Sequence, residues 1–260
     1  SRRRSDGRTV HPSLRRRENP AARAMTNGDQ SVQLTRAWLV AGLGIVQFIY
    51  CVPTAICNHK ESFSIYRNYL SELGDSRKNL NPWIFNGSLI SLALCLLIFF
   101  VTLTVVTHGA RNGLRSCGFW GCLAAASLGM VGVIPMNLNM GLHIFFMVAW
   151  LCFTIPMLIA WTSWLREWHR RELLCRISNT LLAIATVAYL PVSIAGLAPP
   201  WQKVIVTLSL VWLSTFLMQV GLVIYRGRLF EFTNDRHSKL FEELAGRDER
   251  CRAVGDDRDS

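Results

Sequence analysis

Charged residues are scarce in this chain, and where they occur they crowd into a few places. Only 17% of its 260 residues are charged, against roughly 25% in an average soluble domain, and long stretches carry none. That distribution argues against a soluble domain, which needs charge along its whole length to cover its surface. Acid is scarcer than base, and the net charge is +11. Basic residues gather on the cytoplasmic side of membrane proteins, so the excess requires no nucleic acid. The basic tails also lack a nucleic-acid recognition motif. No CxxC pair occurs among the eight cysteines, which leaves a zinc or disulfide framework without its usual spacing. Cys51, Cys95, Cys122 and Cys152 fall inside apolar runs, where cysteine acts as a small hydrophobe. The H-E-x-x-H and G-x-S-x-G motifs are missing as well, so the common sequence signs of a zinc protease and a serine hydrolase are lacking. We expect no metal site and no cofactor.

What the chain does have is six apolar runs, at about 37–57, 82–107, 118–136, 141–165, 180–197 and 204–225. Runs of about 20 residues match a hydrocarbon core of about 30 Å. The expected fold is all-α, a polytopic integral membrane protein with a six-transmembrane-helix bundle over 37–225. The first run is longer than a signal-peptide core and no A-x-A-like site follows it. Residues 1–36 form a basic tail without an apolar run, expected to be disordered. Met25 within it is a candidate translation start. Residues 226–260 form a charged tail. Six crossings put both ends on one side of the membrane. That side collects most Lys and Arg near the helix ends, while the other holds Lys60, Arg67, Arg77, Lys78 and Lys203. Both termini are therefore expected in the cytoplasm.

Several local signals refine this layout. Asn81 suits a helix N-cap and Pro82 the first turn behind it. Gly118, Gly121, Ala125, Gly129 and Gly132 line one side of the third helix, a pattern that lets a neighbouring helix come close. Pro135 ends or bends that helix, and Ala198 to Gln202 reads as a tight turn. Gly74 is expected to need a positive φ.

The most specific-looking stretch is the polar loop Tyr66 to Ser88, between the first two runs. With the topology above, it shares the non-cytoplasmic face with the turn Asn137 to Gly141 and with His143 at the start of the fourth helix. Ser71, Glu72, Asn81, Asn86, Asn137 and His143 are the candidate ligand-binding residues, placed at the depth of a lipid head group. Their bland readings are a serine cap, turn-forming asparagines and a packing histidine. Ser71, His143 and Glu72 also match a nucleophile, a base and an orienting acid by residue type. They are the candidate catalytic residues if the protein is an acyl-transfer enzyme or lipid hydrolase, a reading the sequence disfavours. His59, Glu72 and His143 could supply metal ligands but show no paired spacing. A small-solute transporter is a further alternative, although no charge lies mid-membrane and no inverted repeat is evident.

Tyr69-Leu70-Ser71-Glu72-Leu73-Gly74, then Asn81-Pro82, then Ile84-Phe85-Asn86, resembles the signature of the prokaryotic domain-of-unknown-function 998 family of six-helix membrane proteins. Gly132, Pro135, Asn137 and His143 are similar to that family's middle region. The resemblance covers about Ala37 to Tyr225. It implies a prokaryotic plasma-membrane protein and no established activity. A more distant similarity, on the aromatic-x-Ser-acid-x-Gly loop, a following Pro and Phe and a later histidine, is to the eukaryotic DRAM, Frag and Sfk membrane proteins. Glu72 stands where those usually have aspartate. Their links to autophagy, lipid-anchored proteins and lipid organisation imply membrane lipids as the expected partner.

Overall fold

The computed structural model describes residues 27–107, 112–168, 173–194 and 198–225. The basic tail to residue 26 with Met25, and the charged tail from 226, lie outside the described residues. Among the described residues six α-helices follow one another: α1 Asn27–Cys57, α2 Pro82–Val106, α3 Asn112–Val133, α4 Met140–Trp168, α5 Leu173–Ile194 and α6 Ala198–Tyr225. A short 3-10 helix, Leu70–Gly74, sits in the loop between α1 and α2. Five of the six contain stretches long and apolar enough to cross a membrane, Asp29–Cys57, Pro82–Val106, Gly113–Val133, Met140–Trp164 and Pro199–Leu222. In α5 the apolar run among described residues is shorter, Asn179–Ala188.

Helix ends differ from the sequence expectation where packing, rather than hydropathy, extends a helix. Residues 27–36 were expected to lack structure, yet α1 begins at Asn27. Leu34 and Ala37 are buried there, and the Trp38 indole N–H donates to the Leu217 carbonyl of α6 at 2.6 Å. α3 likewise starts at Asn112, with Leu114 and Cys117 buried, and α5 starts at Leu173. The expected tight turn at Ala198 to Gln202 is instead the first turn of α6. Prolines fit that position because the N–H they lack has no helical partner there.

The small-residue stripe on α3 meets α2, as its spacing suggests. A Cβ at Gly121 would run into the Phe100 ring, one at Gly118 into Thr104, and one at Gly132 would lie 2.9 Å from the Asn86 carbonyl oxygen. On α1, a Cβ at Gly44 would stand 2.8 Å from that of Cys95 on α2. These close approaches hold α1 and α3 against α2, and α4 packs along α3, so the four form a continuous wall. α5 and α6 form a hairpin that closes against α1, while its contact with α4 is sparse. At the end remote from the Leu70–Gly74 helix, aromatic rings fill the space between walls. Trp161 of α4 meets Phe216 of α6 edge-on with centroids 4.4 Å apart, and Trp212 stacks on Phe216 at 5.1 Å. Phe99 and Phe100 reach the same Phe216 ring from α2.

Candidate functional site

The loop between α1 and α2 is closed at its base by backbone bonds from Lys60 N–H to the Lys78 carbonyl (2.9 Å) and from Leu80 N–H to the Asn58 carbonyl (2.9 Å). Asn79, almost wholly buried, ties this base to the bundle. Its amide donates to the Ala55 carbonyl and its oxygen accepts from the Asn81 N–H, both at 2.9 Å. Within the loop, Leu70 and Leu73 stand three residues apart on a 3-10 helix, where such positions eclipse. Both are buried, and they seat the short helix on the bundle. Ser71 and Glu72 lie between them and are buried as well.

Glu72 is an anchor of the loop. Its Oε2 accepts from the Asn68 amide at 2.8 Å and from the Lys78 ammonium at 3.1 Å. Burial pushes its carboxyl up, but the hydrogen bonds from Asn68 and Lys78 outweigh that and hold it below the usual glutamate range. Asp75 behaves alike: burial raises it, and bonds from the Arg77 side chain and backbone more than offset this. Asn86 donates to the Gly74 carbonyl at 3.0 Å, and a Cβ at Gly74 would fall on the Asn86 amide. Gly74 is therefore required for the space that Asn86 fills, and its φ lies outside the positive range expected for it. Asn81 stands at the N-cap of α2, but its exposed side chain makes no capping bond. The capping role expected of it is not filled, because its φ of −134° and ψ of 76° accompany a backbone N–H held by Asn79. Asn137 donates to the Ser76 hydroxyl at 3.0 Å and so joins the two loops. Asn139 caps α4 by accepting from the Leu142 N–H at 3.0 Å.

The candidate catalytic residues keep separate company. The Ser71 hydroxyl points its proton at the Met136 thioether, 2.9 Å away. His143 is buried, with Nδ1 at 2.7 Å from the Ile134 carbonyl. The Val131 carbonyl also lies near the ring, while Nε2 has no hydrogen-bond partner. Glu72 is bonded as described above. A nucleophile needs its base within about 2.6–3.2 Å, and a thioether cannot take the Ser71 proton. Among the described residues no three His, Cys, Asp or Glu side chains come together as a metal site. His59 instead bonds the Glu61 carbonyl and meets the Phe63 ring edge-on.

Ser71 does have a distinctive setting. Beneath it, inside the bundle, is a cavity of about 120 Å³ to which all six helices contribute. On α2 it follows one face from Phe85 through Leu89, Leu92 and Leu96 to Phe100, about 22 Å at the helical rise. Phe100 and Trp212, at its far end, belong to the aromatic floor. At the near end stand Ser71 and Gln202. Gln202 accepts from the Leu70 N–H at 2.7 Å, and its amide N–H₂ points at the Met147 sulfur at 3.7 Å. Sequence reasoning missed Gln202, which looked like a turn residue, and missed Asn79, which carries no motif. Two uncharged donors, each facing a weak thioether acceptor, thus stand at one end of an elongated apolar cup, beneath the Leu70–Gly74 helix.

A family model described as "Protein of unknown function (DUF998)" matches residues 34–218. The chain belongs to this DUF998 family. No curated protein and no solved structure matches it. The matched span takes in the Leu70–Gly74 helix and every cavity-lining residue from Phe48 to Leu213, so the cup lies wholly within the DUF998 region.

Proposed function

We propose that this DUF998 protein holds the hydrocarbon chain of a membrane amphiphile inside its bundle, with the amphiphile's polar end at Ser71 and Gln202. The observation that carries this reading is the cup itself, apolar along its length, aromatic at its floor and fitted with two exchangeable donors at one end. Its volume is of the order of the ~150 Å³ apolar cavity known to bind benzene, room for a segment of such a chain. An acceptor oxygen on the ligand is a better partner for the Ser71 hydroxyl and the Gln202 amide than the thioethers they now face. Glu72, Asn86 and Asn137 then act by holding the loop that carries Ser71. In this reading α5 supplies the sixth crossing and both termini are cytoplasmic, in the plasma membrane of a prokaryote. The basic residues near the helix ends on that side support the orientation. The Ser71 and Gln202 end of the cup then lies toward the non-cytoplasmic face.

Native mass spectrometry of protein extracted in polymer nanodiscs tests the binding. One tightly retained amphiphile per protein is expected, and Val206→Trp, which fills the cup one turn below Gln202, should remove it while leaving helical content unchanged. Leu128→Trp, on the α3 wall, serves as an independent second filling. Retention of the same molecule in both folded variants would sink the proposal.

A further inference from the structure

We infer that the amphiphile held in this cup carries an uncharged hydrogen-bonding group part-way along its chain, and that Ser209 is the residue that meets it. The inference rests on the cup being a chain-binding site and goes on to specify what kind of chain. Ser209 lines the cup on α6. It lies two helical turns beyond Gln202 on the same face, about 10 Å deeper at 1.5 Å per residue. A serine hydroxyl in a helix usually bonds back to the carbonyl four residues earlier. Ser214 on the same helix does so with Leu210, at 2.8 Å. Across the cup, Thr154 does so with Trp150, also at 2.8 Å. The Ser209 hydroxyl is buried and makes no hydrogen bond, although the helix offers it the same local partner.

A buried hydroxyl left without a partner is destabilising. A trapped water would need two to four polar partners. Away from the Ser71 and Gln202 end, the hydroxyls among the described lining residues are those of Ser209 and of Thr154, whose proton is already engaged, and the Trp212 indole N–H is taken by Asn179. A hydroxyl, keto or ester group on the bound chain satisfies Ser209 directly. The group is uncharged, because the lining holds no Asp, Glu, Lys, Arg or His among the described residues, and a charge there would lose its hydration with no countercharge in return.

Monoolein and monoricinolein provide the test, since they share a neutral head and differ by one hydroxyl midway along the chain. Competition at equal concentration for the full-length protein, read by native mass spectrometry, should favour monoricinolein by roughly two- to tenfold, the range of one net hydrogen bond. Ser209→Ala should abolish the preference, while Thr154→Val should keep it. Equal binding of the two by the unmodified protein would overturn the inference and leave the cup reading in place. So would a preference that survives Ser209→Ala, or one that Thr154→Val removes as fully. Binding of neither monoester would overturn both.

Discussion

Substituting Gly74 by alanine is a stringent probe of how the Ser71 loop is held. The added Cβ would land on the Asn86 side-chain amide, which also donates to the Gly74 carbonyl at 3.0 Å. The amide must therefore move, and the buried bond is lost with it. Overpacking costs about 1–3 kcal/mol, and a buried carbonyl left unpaired costs about 1–3 kcal/mol more, so Gly74→Ala should destabilise by about 2–6 kcal/mol. Asn86→Ala alone forfeits the hydrogen bond but opens the space, at about 1–3 kcal/mol. In the double variant the new methyl meets no obstacle and the bond is already gone. Its stability should match Asn86→Ala, giving a coupling equal to the whole Gly74→Ala loss, at least ~2 kcal/mol, between adjoining residues. Reversible unfolding in mixed micelles, followed by circular dichroism, supplies the four free energies of the cycle. Additive losses would show that Gly74 serves something other than the Asn86 amide, and the steric account of the loop would be wrong.

Asn79→Ala should destabilise about as much as Gly74→Ala, because the Ala55 carbonyl and the Asn81 N–H lose their partner together at about 1–3 kcal/mol each. The same unfolding assay reads it. Glu72 has a folded-state pKa below its ordinary value, so its ionised form contributes stability that is present above the ordinary glutamate range near ~4.3 and lost as pH falls through the folded value. Thermal midpoints measured from neutral pH downward should fall in the unmodified protein and fall less steeply in Glu72→Gln. A slope unchanged by that substitution would contradict the role given to Asn68 and Lys78. Asn179 accepts from the Trp212 indole and donates to Thr162 at 3.0 Å, joining α4, α5 and α6. Asn179→Ala should loosen α5 by about 0.6–1.7 kcal/mol, the range of interhelical bonds in membranes, seen as faster amide hydrogen exchange in α5 but not in α2.

The helices were legible in the sequence because a membrane helix must be apolar along its length, and that requirement leaves a pattern in composition alone. Their true ends were less so. The first turns of α1 are held by Leu34 against the bundle and Trp38 against α6, contacts that hydropathy does not register. The α3 stripe was legible for a related reason, since only small residues permit the backbone approach seen at Gly118 and Gly132. In the site, Ser71 stood out through its motif, but its relation to His143 did not follow from sequence. Local bonds to Met136 and Ile134 claim the two side chains separately. The cup left no trace, because its walls are ordinary leucines and phenylalanines and its shape arises only from how six helices lean together. In sequence Gln202 reads as a turn residue and Ser209 as any polar residue on a membrane helix.

The central claim is that a hydrocarbon chain occupies the interior of the bundle, and photolabelling tests it most directly. A neutral monoacylglycerol bearing a diazirine near the end of its chain, incorporated into nanodiscs with the protein and irradiated, should label cup residues such as Leu92, Leu96, Leu210 and Leu213. Labelling confined to outward-facing side chains such as Leu43, Val46, Leu94 and Ile98 would mean that the chain only bathes the protein, and would contradict the account.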